Sequence, residues 1–207
     1  MDKTTKSLLD RRTFLKDASA LTVSAALAAS TVSAACSTPA AQGPRVAAVL
    51  FDSRYSSSRE FANTLAREGA AVFEVRGDIA GLWYGPLRGH LAKAAGCVAG
   101  LTAHSDLTVS RSFGRELRLA LRYEGAHDSR GSRAIAHRLR GRVDLHEITS
   151  ALLRANSDWG ESLAQAIAHT RWSQSASPWN SAVAQTFALD DHPGFLSSWV
   201  LVPSEKL

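Results

Sequence analysis

The chain has 207 residues, 24 basic and 19 acidic side chains, a formal charge of +5 and only two cysteines. The length fits one domain of ordinary size, able to bury most of its apolar surface. With Cys97 alone inside the domain, an internal disulfide is excluded, and no Cys-x-x-Cys-His motif is present for covalent haem.

The first 35 residues stand apart. Lys3, Lys6, Arg11, Arg12 and Lys16 make a basic start, and residues 18–35 contain neither charge nor aromatic ring. Between them lies Asp10-Arg11-Arg12-Thr13-Phe14-Leu15-Lys16. This run resembles the twin-arginine (Tat) export signal, Ser/Thr-Arg-Arg-x-Phe-Leu-Lys. It matches from Arg11 through Phe14 and Leu15 to Lys16, with Asp10 where the family has a hydroxyl residue. The resemblance implies recognition by the Tat translocase, export of an already folded chain and a periplasmic or exported location. Ala, Ser and Thr dominate 18–35, which favours a cleaved signal over a membrane anchor. Two cuts fit. One follows Ala35 and leaves Cys36 first, where a lipid anchor would attach. The other falls near Ala40 and discards Cys36. Removing 1–35 takes five basic and three acidic residues, lowering the charge from +5 to +3.

Residues 36–44 read as a flexible linker and 45–207 as a single α/β domain. Residues 45–51 form a continuous apolar run, expected as a strand buried on both faces. Residues 56–67 follow with helical spacing at Phe61, Ala62, Leu65 and Ala66. Ser56, Ser57 and Ser58 offer an N-cap, Glu60 is expected in the first turn, and Gly69 closes the helix. A second strand is expected over 70–75, short helical turns anchored by Trp83 and Tyr84 over 79–93, and a third strand over 97–102. A helix capped by Ser105 runs to about Leu117, then a fourth strand covers 118–123. Residues 133–140 read as a strand returning antiparallel to it, after a turn at 128–132. Helices are expected over 144–155 and 158–170, the second capped by Ser157 or Asp158. An irregular stretch over 173–194 and a last strand over 195–202 complete the chain. The strand–helix–strand order predicts a mostly parallel sheet, with an antiparallel hairpin or edge strand and two C-terminal helices. It resembles the first half of a Rossmann-like or flavodoxin-like fold, which implies little about function.

In a parallel sheet, ligands gather at the carboxyl ends of the strands. That rule selects three loops: 52–58, with Asp52, Ser53, Arg54, Ser56, Ser57 and Ser58; 76–78, with Asp78; and 102–105, with Thr102, His104 and Ser105. Hydroxyls and backbone N–H groups at a helix start suit a small anionic ligand. Ser53 or Ser56 with His104 and Asp78 supplies the residue types for a nucleophile, base and orienting acid, although no Gly-x-Ser-x-Gly elbow is present. The seven histidines lack metal-ligand spacing, so no metal and no cofactor is expected. Asp and Glu dilute the arginine band from Arg111 to Arg142, which reads as a solvated or partner-facing surface and not a nucleic-acid site. Two readings follow: an exported binding or accessory protein, with a periplasmic redox enzyme as the partner the Tat resemblance implies, or a small periplasmic hydrolase working at the strand ends. In either case membrane contact is limited to the signal or a lipid anchor.

Overall fold

A computed structural model describes residues 43–129, 134–173, 177–187 and 194–204. The chain divides into two units, Met1–Ser37 and Thr38–Leu207. The export-signal residues and Cys36 lie outside the described residues, as do Arg130 and Arg133.

Among the described residues, seven strands form one sheet: β1 (Val46–Phe51), β2 (Ala71–Glu74), β3 (Cys97–Thr102), β4 (Leu119–Asp128), β5 (Ala134–Gly141), β6 (Asn180–Phe187) and β7 (Phe195–Pro203), in the order β2-β1-β3-β7-β4-β5-β6. Five helical segments of the described residues accompany them: α1 (Ser56–Arg67), then α2 (Ile79–Leu82) continuing through a π-helical turn (Trp83–Leu87) into α3 (Arg88–Leu91), then α4 (His104–Glu116), α5 (His146–Arg154) and α6 (Trp159–His169). None of the described helices is long and apolar enough to cross a membrane.

The expected α/β architecture is present, but the sheet is mostly antiparallel. Only β1 pairs in parallel, with β2 and with β3. The pairs β3–β7, β7–β4, β4–β5 and β5–β6 are antiparallel. The strand–helix–strand rhythm holds for β1, β2 and β3 and then stops. After α4, strand β4 skips the position beside β3, and β7 later enters there in the opposite sense. The stretch over 173–194 is not wholly irregular, because β6 forms within it as the edge strand. Strands β6 and β7 also follow the two helices expected near the C-terminus.

Each sheet face takes its cover from helices with an apolar stripe. On one face, Phe61 of α1, Ile148 and Leu152 of α5, and Trp159 and Leu163 of α6 pack on Val49, Leu101, Tyr123 and Leu139. On the other, Trp83 and Leu107 pack on Leu50, Val98 and Trp199. Strand β5 alternates strictly: Ile135, His137 and Leu139 are buried, while Ala136, Arg138 and Arg140 are exposed. That period of two marks a strand covered on one side only.

Candidate functional site at the strand ends

The loop after β1 is held by its own side chains. Asp52 is 2% exposed. Its carboxylate accepts Arg54 Nε at 2.9 Å, Nη2 at 2.6 Å and the Arg54 backbone N–H at 3.1 Å. Burial alone would raise the Asp52 pKa, yet the Arg54 hydrogen bonds and charge hold it below the ordinary value. The Asp52 backbone N–H donates to Ser58 Oγ at 2.9 Å, and that hydroxyl donates to the Leu101 carbonyl at 2.5 Å. The loop is thereby fastened to both α1 and β3. Asp106, in the first turn of α4, is pushed above its ordinary pKa by burial and then by the charge of Asp52.

The other candidates take separate partners. Ser53 Oγ donates to Glu74, whose second carboxylate oxygen receives Arg76 Nε at 2.7 Å. The bonds from Arg76 and then Ser53 lower the Glu74 pKa. The Asp78 carboxylate accepts the Gly81 backbone N–H at 2.8 Å and so caps α2. Thr102 Oγ1 accepts Trp199 Nε1 at 3.2 Å. His104 Nδ1 meets Ser197 Oγ at 3.2 Å, and its ring stands edge-on to Phe195. Ser57 is buried where α6 crosses α1: a Cβ on Gly160 would come within 2.2 Å of the Ser57 carbonyl oxygen. Ser105 is exposed. Among the described residues, no hydrogen bond joins Asp52, Asp78 and His104.

The capping expectations shift. Tyr55 is the N-cap of α1 and makes no side-chain cap bond, so Ser56–Ser58 fall inside the first turn and Glu60 beyond it. Ala103 caps α4, which places Ser105 inside that helix. The N-cap of α6 is Asp158, again without a side-chain cap bond. Ser58, the last residue of the loop that the sequence marks as the first candidate, is the hydroxyl that holds the loop. Its helical spacing to Phe61, Ala62 and Leu65 is the signal that it faces inward.

A buried polar chain was missed. His127 and His137 lie opposite each other on β4 and β5, fully buried, with Nδ1 atoms 2.6 Å apart. His127 Nε2 meets Ser198 Oγ at 2.8 Å, which meets Tyr123 Oη at 3.0 Å. His137 Nε2 meets Thr186 Oγ1 at 2.8 Å. The Trp159 ring packs on both imidazoles. The sequence signal was the turn at 128–132, which sets two alternating strands in register. Among the described residues, no group of three or more His, Cys, Asp or Glu side chains could hold a metal ion.

The arginine band divides. Arg138 and Arg140 on β5 face Asp128 at 3.8 Å and Glu124 at 3.3 Å. Arg111, Arg115, Arg118, Arg122 and Arg142 line a different surface, a cleft they share with Trp179.

Comparison with known proteins found no matching family model, no similar curated protein and no similar solved structure. The chemistry of this chain therefore has to be argued from its own geometry. At the strand ends that geometry is a set of closed clasps between acids, arginines and hydroxyls.

Proposed function

We propose that this chain is exported by the Tat route and acts outside the cytoplasm as a binding or accessory protein. The address is carried by Arg11-Arg12-Thr13-Phe14-Leu15-Lys16 and the uncharged stretch behind it. The binding role is supported by one observation: the groups suited to acid–base or nucleophilic work at the strand ends are each closed onto a neighbour of the same chain. Asp52 is held by Arg54, Ser53 by Glu74, and His104 by Ser197. A general base must reach a substrate proton. An Asp52 held below its ordinary pKa by a bidentate guanidinium is a weak base in a fixed place. A redox enzyme outside the cytoplasm is the partner that a Tat cargo of this kind would serve.

The test is fractionation of cells producing the full chain or its Arg11→Lys/Arg12→Lys variant, followed by native mass spectrometry of the exported protein. The expected result is a shortened chain in the periplasmic fraction that depends on the arginine pair, with a ligand or partner retained. Equal export of the double-lysine variant removes the Tat reading. Turnover of a hydrolysable substrate, abolished by His104→Ala, removes the binding reading.

A further inference from the structure

Strand β6 stands last in the strand order, and its register with β5 runs its full length without a shift. We propose that β6 pairs antiparallel with β6 of a second copy of this chain, about a two-fold axis at Val183, joining two sheets edge to edge. The inference goes beyond the binding reading above and does not depend on it.

An outer strand offers backbone N–H and C=O groups to another strand. Natural edges are blunted by shortness, charge, proline or a bulge. The opposite edge of this sheet follows that practice: β2 is four residues long and ends at Glu74, which is paired with Arg76. Strand β6 does not. Residues 179–187 contain no Lys, Arg, Asp, Glu or Pro, and no bulge interrupts the ladder to β5. Among the described residues, β5 is the only strand beside it. Val183 is 74% and Phe187 64% exposed, and Trp179, just before the strand, is exposed as well.

The order of residues in the strand indicates the occupant. Successive side chains alternate between faces. From either end, the outward set reads aromatic, polar, aliphatic, polar, aromatic: Trp179, Ser181, Val183, Gln185, Phe187. The alternate set reads polar, alanine, alanine, polar: Asn180, Ala182, Ala184, Thr186. An isologous contact demands such a pattern, because each residue meets its counterpart from the other end. A strand from an unrelated chain demands no such symmetry. Antiparallel pairing about Val183 sets that residue against itself, Phe187 opposite Trp179 of the second copy, Ser181 opposite Gln185, and Ala182 opposite Ala184. Directly opposed residues share a face and touch, so two aromatic pairs and a valine pair stand in one row.

Charge permits the meeting. Arg138 and Arg140 on β5 lie opposite Val183 and Ser181. Each turns to a carboxylate of β4, Asp128 at 3.8 Å and Glu124 at 3.3 Å. Arg140 also lies 5.5 Å from the centre of the Trp179 ring and holds it on the outward face. Two copies therefore meet through neutral strands, with the cations of β5 one strand back and facing acids.

Sedimentation velocity of the purified protein tests the assignment. A monomer–dimer equilibrium is expected, with a Kd on the order of 10 µM for a single strand pair. Val183→Lys sets two ammonium groups against each other at the axis, and Val183→Glu two carboxylates. Either should weaken the dimer roughly tenfold or more. An equimolar mixture of the two should re-associate at least as tightly as the parent, since opposite charges then meet. Diluted to monomers, parent and variants should melt together, because the substituted side chain is mostly exposed. Val72→Lys on β2 should leave the dimer intact. A parent that stays monomeric at about 100 µM overturns the proposal. So does a dimer that survives Val183→Lys, as association through residues 18–35 would, or one that Val72→Lys dissolves. A mixture of the charged variants that fails to re-associate refutes the two-fold register. A monomeric parent carrying a foreign chain, lost in Val183→Lys, assigns the edge to a different partner and overturns the pairing of copies.

Discussion

Replacing His137 with leucine perturbs a fully buried polar chain. His127 and His137 share one Nδ1···Nδ1 contact of 2.6 Å, so one ring donates there and the other accepts. One consistent arrangement has Tyr123 donating to Ser198, Ser198 to His127 Nε2, His127 Nδ1 to His137 Nδ1, and His137 Nε2 to Thr186, with both rings neutral. Leucine at 137 leaves His127 Nδ1 and Thr186 Oγ1 facing hydrocarbon. Each buried group deprived of its partner costs about 1–3 kcal/mol. Leucine packing against Trp159 returns about 1–2 kcal/mol. The net loss expected is about 3 kcal/mol, or roughly 6–12 °C in Tm for a domain of this size. Urea unfolding should show a lower midpoint at an unchanged slope. The His127→Leu/His137→Leu double variant should cost less than the two singles summed, by roughly 1 kcal/mol or more, because the shared contact is lost only once. A single variant within about 0.5 kcal/mol of the parent, or strict additivity, would refute this account of the pair.

Gly100 lies opposite Trp199, and a Cβ there would come within 2.3 Å of the indole ring. Gly100→Ala should therefore cost about 1–3 kcal/mol in urea unfolding, and a neutral result means the indole is not seated against β3. Burial, followed by the charges of Asp158 and Glu161, raises the Glu60 pKa in the folded state. An acid raised on folding opposes stability where it is ionised. Glu60→Gln should thus stabilise the fold at pH 7 by roughly 0.5 kcal/mol, discounted for solvent access. The gain should shrink as pH falls through the folded pKa toward the ordinary carboxylate range, and thermal scans from pH 7 to pH 4 will show whether it does. Burial pushes the Cys97 thiol up to about 12. In a Cys36→Ser background, iodoacetamide at pH 8 should label Cys97 only after unfolding, and fast labelling of the native protein would contradict its burial.

The first three strands were legible because each is a short apolar run followed by turn residues, and because the intervening helices carry an inward stripe such as Phe61, Ala62 and Leu65. The hairpin of β4 and β5 was legible from the turn at 128–132. The sheet's overall sense was not. Parallel and antiparallel buried strands have similar composition, and β7 reads Phe195 to Pro203 whichever way it runs. Strand β6 was hidden because its two faces do not sort by polarity: Val183 and Phe187 are exposed beside Ser181 and Gln185, while Thr186 is buried. At the strand ends the sequence identified Asp52, Ser53, Arg54 and His104 as polar groups at a sheet edge. It could not show that Arg54 closes on Asp52, since pairing depends on rotamers and not on spacing. The arginine cleft includes the bulge at Arg122 and the positive φ of Arg118, and neither leaves a mark when the residue concerned is arginine and not glycine.

The placement of β7 between β3 and β4 governs how the domain is assembled. In the strand order, β3 and β4 are joined only through residues 195–203, so the sheet cannot close before that segment is made. Contacts between segments so far apart along the chain close slowly. If the export route proposed above holds, translocation would have to wait for that late strand.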